Sequence, residues 1–142
     1  MAINDARHSD VAYNFELLSV DWPDECHEAS KGREKVPSII STRPMFEALI
    51  EDILQRRPAS EISAKFHNGL VKVFVQLAHA IRGGTSLSRV CLSGGTFNNA
   101  YLTTHLSSEL RAADFEVFTQ NDLPAGDGGL ALGQAMVAAH CG

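Results

Sequence analysis

Cysteine is scarce in this chain. Only three cysteines occur among 142 residues, at positions 26, 91 and 141, and no two of them form a Cys-x-x-Cys pair. An odd and scattered set of cysteines excludes a disulfide framework and a zinc knuckle as the basis of the fold. Cys26 followed by His27 could begin a metal site, but no further ligands follow at the spacing that such a site needs. We therefore expect reduced thiols.

Basic charge and long apolar runs are also lacking. Twelve lysines and arginines stand against seventeen aspartates and glutamates, which gives a net charge of −5. Because there is no basic stripe to contact phosphate backbones, nucleic acid is excluded as the main partner. No apolar run reaches the roughly 18 residues of a membrane span, and residues 1–10 lack the pattern of a secretory signal. We therefore expect a cytoplasmic protein that does not enter the membrane.

The composition that is present fits a folded α/β protein. Hydrophobic residues make up 44% of the chain and charged residues 20%, close to the averages of globular proteins. A chain of 142 residues predicts one compact core. Residues 1–42 are irregular and predict an N-terminal strand with a charged loop, whereas residues 43–142 have the pattern of an α/β lobe.

Two helices are predicted at the start of this lobe. The first begins at Arg43 and stops before Pro58; the second covers about residues 61–82, with a cap at Ser60 and an end at Gly83-Gly84. The stripe of the second helix expected to face the core consists of Ile62, Phe66, Leu70, Val73, Leu77 and Ile81. The opposite, polar face carries Lys65, Asn68 and Lys72.

Strands and helices alternate in the rest of the lobe. Residues 90–92 predict a strand buried on both faces, and residues 115–118 predict a second strand. Helices are predicted at residues 98–113 and 130–140. The order indicates helices packed on a mixed sheet.

The turn Ser93-Gly94-Gly95 connects the first of these strands to a helix. Such a turn brings backbone N–H groups and the positive end of a helix close to an anion, with no Cβ in the way. The pattern therefore indicates nucleotide or phosphate binding, with a tight structural turn as the alternative. Asn99 is expected to point inward on the helix that follows, either to contact a ligand or to cap its own helix.

A second glycine-rich turn contains Asp127, which stands between Gly126 and Gly128-Gly129 before the final helix. Asp127 is positioned to cap that helix, since carboxylates favour helix N-termini. The other reading is that its carboxylate reaches a metal or a phosphate. Gly129 and Gly133 are four residues apart, so one face of the final helix can lie close to a neighbour.

His67 lies at the edge of the apolar stripe of the second helix. A histidine there can line a site, or it can be satisfied by one backbone carbonyl. Both readings stay open.

Three segments together resemble the C-terminal end of the HypF family of hydrogenase maturation carbamoyltransferases: Ala64-Lys65-Phe66-His67-Asn68-Gly69-Leu70, residues 90–102, and residues 123–134 with Asp-Gly-Gly-Leu-Ala-Leu-Gly-Gln. The resemblance covers about residues 13–142. It implies one lobe of ribonuclease-H-like, actin-like ATPase type, a mixed sheet packed with helices.

The resemblance also implies a reaction and a set of ligands. In the family, the module transfers a carbamoyl group from carbamoyl adenylate, made from carbamoyl phosphate and ATP, to the C-terminal cysteine of HypE. Ser93, Gly94, Gly95, Asn99, Gly128 and Gly129 would then bind the nucleotide, and Asp127 would bind a divalent metal (Fe, Zn or Mg) shared with another lobe. His67 is a further candidate for lining the site.

The chain departs from the family pattern in ways that leave catalysis by this chain alone open. Ala100 stands where the family has a basic residue and Gly126 where it has Asn, and no two of the six histidines are four apart. The first lobe and the YrdC-like domain are not in this sequence. The resemblance thus implies either part of a carbamoyltransferase or a non-catalytic binding lobe that docks to HypE or to a full-length relative, and a homodimer if the chain is isolated.

Overall fold

The computed structural model describes residues 11–19, 39–120 and 122–140. The chain length predicts one core, whereas internal contacts separate the chain into two compact units, Met1–Leu87 and Ser88–Gly142. The boundary expected between residues 42 and 43 lies inside the first unit and stays a prediction. No described helix is long and apolar enough to cross a membrane.

The first unit contains a two-stranded antiparallel sheet and two helices. Strands β1 (Glu16–Leu18) and β2 (Ile39–Ser41) pair with Leu17 opposite Ile40. Helix α1 spans Arg43–Leu54 and α2 spans Ala59–Thr85. Pro44 lies in the first turn of α1, where its missing N–H leaves no hydrogen bond unmade. The chain reverses after α1 at Arg56, whose φ is 56°.

The ends of α2 differ from the prediction. Pro58 precedes the helix and no side chain caps it, so the cap expected at Ser60 is wrong. Gly83 and Gly84 remain helical, and the helix ends at Thr85 because Ser86 adopts the left-handed conformation with φ 61°. Arg82 O accepts the Ser86 N–H at 2.8 Å, which stabilises this end.

The buried and exposed sides of α2 also differ from the prediction. Of the predicted apolar stripe only Val73 is fully buried, while Asn68, expected on the polar face, is buried and donates from Nδ2 to Val11 O at 3.1 Å. The reason is that residues 11–15 lie against this side of α2. Gly69 lets them approach, since a Cβ there would be 2.5 Å from Tyr13 O. A helix covered on two sides does not follow a one-stripe pattern.

A buried polar cluster holds Tyr13 between α1 and α2. The Tyr13 hydroxyl donates to Asp52 Oδ2 at 2.7 Å, and Lys65 Nζ donates to the same oxygen at 2.7 Å. Tyr13 N–H also donates to Lys65 O at 3.0 Å. Burial, with the hydrogen bond to Asp52, raises the pKa of Tyr13 to about 12. The hydrogen bonds from Lys65 and Tyr13 lower the pKa of Asp52. The buried carboxylate is thus paired with a cation and a hydroxyl, and removal of either partner would leave it less well compensated.

The second unit contains a two-stranded parallel sheet and two helices. Strands β3 (Arg89–Leu92) and β4 (Glu116–Thr119) pair in register, with Cys91 opposite Phe118. Helix α3 spans Ala100–Ala112 and α4 spans Leu130–His140, each preceded by a short 3₁₀ turn, Gly95–Asn98 and Asp127–Gly129. The mixed α/β class predicted from the sequence is confirmed.

The core of the second unit is formed by the inner face of α3. Leu102, Leu106 and Leu110 are each 1% exposed, as their spacing predicts, and Leu92 and Phe115 are buried as well. The expectation that β3 is buried on both faces is wrong. Cys91 and Phe118, which share a face of the described two-stranded sheet, are exposed.

Candidate functional site

The first glycine turn begins where β3 ends. Gly94 has φ 108° and ψ 161°, a conformation that residues with a Cβ rarely adopt. Gly94 O accepts the Phe97 N–H at 3.0 Å, which starts the 3₁₀ turn leading to α3. Gly94 therefore allows a sharp change of direction from strand to helix. Ser93, between Leu92 and Gly94, stands at the carboxyl end of the strand.

The second glycine turn lies against the first. Gly94 N–H donates to Ala125 O at 2.7 Å, and a Cβ added at Gly126 would be 3.4 Å from Gly95 Cα. A Cβ at Gly128 would be 2.8 Å from Pro124 Cγ, so this turn has no room for a side chain there. The structure thus brings together two motifs that are about 30 residues apart in the sequence, as expected when both lie at one edge of a sheet.

A cavity of about 740 Å³ opens where the two turns meet. Of the residues predicted from the sequence, Ser93, Gly94, Asp127 and Gly129 line it. The other lining residues are Gln120, Ala125, Gly126, Leu130, Gly133, Gln134, Val137 and Ala138. The volume lies in the range of small-molecule sites. Gly95, Asn99 and Gly128 are not among the lining residues.

Asn99 caps α3 rather than facing the cavity. Its Oδ1 accepts the Leu102 N–H at 3.2 Å, and its backbone oxygen accepts the Thr103 N–H at 3.0 Å. The residue is exposed, so the expectation that its side chain points into the core is wrong. The alternative drawn from the sequence, an amide that caps its own helix, describes what the structure has.

Asp127 begins the second 3₁₀ turn, and its carboxylate is exposed at the cavity. Gly126 is the residue before this turn, no side chain caps it, and Asp127 O accepts the Leu130 N–H. The side-chain cap predicted for Asp127 is therefore not formed. No described residue hydrogen-bonds the carboxylate, and no group of three His, Cys, Asp or Glu side chains that could hold a metal occurs in the described part of the chain.

His67 belongs to the first unit. Its Nδ1 is 2.7 Å from the backbone oxygen of Ser63, one turn earlier in α2, and its ring meets Phe66 edge-on at 5.6 Å between centroids. This is the backbone-carbonyl bond that the sequence offered as one of two readings. His67 is not among the residues that line the cavity.

Gln120 and Gln134 are the polar lining residues that the sequence analysis missed. Gln120 directly follows β4, and Ser93 directly follows β3. Gln120 Nε2 donates to Ser93 Oγ at 3.3 Å. Because parallel strands end at the same edge of a sheet, the ends of the two predicted strands were the available signal, but the predicted strand 115–118 stops one residue before β4 ends and would have indicated Thr119. Gln134 stands one turn into α4 from Leu130. The lining residues include one carboxylate, Asp127, and no lysine, arginine or histidine.

The fold and the cavity define an α/β subdomain in which two glycine turns border a ligand-sized cleft. The sequence matches, over residues 8–134, the family described as "Carbamoyltransferase, Kae1-like Domain, second subdomain". The chain belongs to this family. The resemblance to HypF found from three sequence segments is thereby confirmed.

Three known proteins illustrate the relationship. The chain is 36% identical over 104 residues to "Carbamoyltransferase HypF" of Rhodobacter capsulatus, which covers 73% of this chain and 13% of that protein. It is 34% identical over 149 aligned positions to "Carbamoyltransferase HypF homolog" of Cupriavidus necator, with 99% and 37% covered. A solved structure, full-length HypF in the phosphate- and nucleotide-bound form, matches with a TM-score of 0.74 at 34% identity, over 90% of this chain and 15% of that one. The chain therefore spans only part of the length of these relatives.

Proposed function

We propose that this chain supplies the nucleotide-binding half of an ATP-dependent carbamoyltransferase. In this reaction, a carbamoyl group passes from carbamoyl adenylate to the C-terminal cysteine of HypE, a step of hydrogenase maturation in the cytoplasm. The observation that carries the proposal is the cleft formed where the two glycine turns meet, in a chain whose relatives are named carbamoyltransferases. A neighbour of similar fold has been solved with phosphate and nucleotide bound, which supports a nucleotide here.

The roles of the turn residues follow from their positions. Ser93, Gly94 and Gly129 contact the nucleotide directly from the wall of the cleft. Gly95 and Gly128 contribute to the shape of the turns, since Gly95 lies against Gly126 and a side chain at Gly128 would meet Pro124, while Asn99 caps α3. His67, on α2, contributes to the fold through its bond to Ser63 O. Its assignment as a residue lining the site has no support beyond the sequence resemblance.

Asp127 is proposed as one ligand of a divalent metal, Fe, Zn or Mg. The fit rests on a carboxylate that is exposed at the cleft and bonded by no described residue. Carboxylate oxygens suit hard cations, and imidazole would have to come from elsewhere in a complete enzyme if the metal is Zn or Fe. A bound cation would neutralise nucleotide charge beside Asp127.

The test of this proposal is complementation. Residues 13–140 of this chain replace the corresponding end of a full-length HypF, and carbamoylation of a HypE C-terminal peptide is followed by mass spectrometry. Activity well above that of a HypF lacking its C-terminal end supports the proposal. The isolated 142-residue chain should show no transfer and at best millimolar nucleotide affinity, because catalysis by positioning needs both walls of a cleft. Turnover by the isolated chain would contradict this half-site account.

A second function is favoured by the exposed apolar side chains of two helices. On α1, Phe46, Ile50 and Ile53 are each more than half exposed, and Leu54 is 78% exposed. On α4, Leu130, Leu132, Met136 and Val137 are also exposed. Exposed apolar side chains that share a helix can form a contact surface for a partner. The corresponding proposal is a non-catalytic lobe that forms a homodimer, or docks to HypE or to a full-length relative. Co-purification with HypE, without transfer activity in the chimera, would favour it.

A further inference from the structure

Ser93 and Gln120 occupy equivalent places in the second unit. Each is the first residue after a strand of the parallel pair, and the two side chains meet across the carboxyl edge at 3.3 Å, from Gln120 Nε2 to Ser93 Oγ. Both residues line the cleft and both are exposed. The bond therefore joins two positions that a ligand in the cleft would touch.

The direction of this hydrogen bond matters for what Ser93 can do. An amide nitrogen can only donate, so the serine oxygen is the acceptor. A hydroxyl that accepts one bond still has its own proton, which it can donate to a third atom. With Gln120 donating to it, Ser93 is left with its O–H available to the cleft.

A hydrogen-bond donor at Ser93 is important for ligand binding because the lining residues supply few other side-chain donors. Its lining residues include no lysine, arginine or histidine, and the one charged group, Asp127, would repel an anion. The Gly94 N–H is already used by Ala125 O. Side-chain donors to the oxygens of a ligand are therefore limited to the Ser93 hydroxyl and the glutamine amides, which act beside the backbone N–H groups of the turns or with a cation.

We propose that Gln120 is a positioning residue for nucleotide binding, which directs the Ser93 hydroxyl to donate to an acceptor oxygen of the nucleotide. This inference rests on the proposed nucleotide role of the cleft. It assigns Ser93 as the contacting group and Gln120 as the group that fixes which way its proton points. The role of Gln120 does not follow from the glycine motifs.

Substitution of Gln120 by Glu tests the direction of the bond. The side chain keeps nearly the same shape, but a carboxylate can only accept, so Ser93 must turn its proton toward Glu and away from the ligand. Gln120→Met keeps the length, makes no bond to Ser93 and leaves its hydroxyl free to rotate. The variants Gln120→Glu, Gln120→Met, Ser93→Ala and the double Ser93→Ala/Gln120→Glu are made in the 142-residue chain. ADP is titrated at constant ionic strength, and amide shifts are followed by NMR.

The expected order of affinities is specific. Ser93→Ala should weaken ADP binding about 5-fold, the usual effect of losing one hydrogen bond, and Gln120→Met about 2-fold. Gln120→Glu should be weaker than wild type by about 10-fold, because it combines the lost donor with a like charge. In the Ser93→Ala background the added effect of Gln120→Glu should fall to about 2-fold, the share due to charge alone in screened solution.

The outcomes separate this inference from the function on which it rests. If the wild-type chain shows no ADP-dependent shifts at the cleft up to millimolar ADP, this wall makes no nucleotide contact of its own and the inference is overturned, whereas the proposed function is judged by the chimeric HypF. If the wild type binds and Gln120→Glu has the same effect with and without Ser93, the nucleotide role stands and the positioning role is overturned. Both side chains are exposed, so the amide spectrum away from the cleft should stay unchanged and serves as the check on folding.

Discussion

Replacing Gly69 by Ala should destabilise the chain, although the same change inside most helices is stabilising. Gly69 lies in the interior of α2, and a Cβ built on it would be 2.5 Å from Tyr13 O and 2.9 Å from Phe15 Cε2. The first of these atoms belongs to the backbone and cannot rotate away. Residues 11–15 would therefore have to move off the helix.

The expected change in the free energy of unfolding combines one stabilising effect with two destabilising ones. Alanine is favoured over glycine in a helix interior by about 1 kcal/mol. Overpacking of a tight contact costs about 1–3 kcal/mol. Displacement of the segment also weakens the bonds from Tyr13 N–H to Lys65 O and from Asn68 Nδ2 to Val11 O, each contributing about 1 kcal/mol. We expect a net loss of about 2 kcal/mol in the free energy of unfolding.

Urea unfolding monitored by circular dichroism measures this loss, and hydrogen exchange at the Tyr13 amide locates it. The matched control is Gly133→Ala in α4, where an added Cβ has no atom within 4 Å. That variant should be unchanged or more stable by up to about 1 kcal/mol. A Gly69→Ala chain as stable as wild type, with the Tyr13 amide equally protected, would refute the close packing of residues 11–15 on α2.

Three further predictions concern the site, the buried cluster and association. Asp127→Asn should change the free energy of unfolding by less than about 1 kcal/mol, because the carboxylate is exposed and caps no helix. In the chimeric HypF, the same substitution should lower metal content and carbamoyl transfer. Unchanged metal content and activity would remove the proposed role of Asp127. Burial raises the pKa of Tyr13 from 10.0 to about 12. The contribution of the buried hydroxyl to the free energy of unfolding is therefore complete below pH 10 and is lost as the pH rises from 10 to about 12. Wild type should therefore lose stability over this range more steeply than Tyr13→Phe in pH-dependent urea titrations, and parallel curves would contradict the buried hydroxyl. Light scattering at micromolar concentration should give a mass above the 15.4 kDa of the monomer. If α1 is the interface, Ile50→Lys should lower the measured mass, since Ile50 is exposed on α1. A monomer at all concentrations would count against association.

The sequence predicted the type of nearly every described element because local signals decide type. Leu102, Leu106 and Leu110 recur at the period of a helix, and all three form the core of the second unit. Pro58 and the glycine turns marked real breaks. The resemblance added the relation between the two glycine turns, which periodicity cannot supply.

What the sequence did not predict depends on contacts between distant residues. Asn68 looks solvent-facing by helical period, and it is buried because residues 11–15 pack on that side. On α1, Ile50, Ile53 and Leu54 look like core positions, yet they are exposed, while Asp52 is buried by Tyr13 and Lys65. Polar groups that satisfy one another can replace apolar side chains in a core, and no periodic pattern marks them.

The candidate site shows the same division between local and distant signals. The conformation of Gly94 is a local requirement and could be predicted from the turn, whereas Gln120 enters the cleft only because β4 pairs in parallel with β3. A glutamine after a strand has no distinctive pattern in a single sequence. Its pairing with Ser93 became visible once the register placed the two strand ends side by side.

The wall of the cleft and the exposed apolar surface of the second unit share one helix. Leu130 and Val137 line the cavity and are also 62% and 64% exposed, so α4 contributes to both at once. A partner that covers this helix would then also border the cleft. Binding of partner and ligand at adjoining surfaces must affect each other equally, since coupling free energy is reciprocal. The chain spans between 11% and 37% of the length of the curated relatives that it matches. If the cleft binds a nucleotide as proposed, the affinity of the isolated chain measures the contribution of one wall.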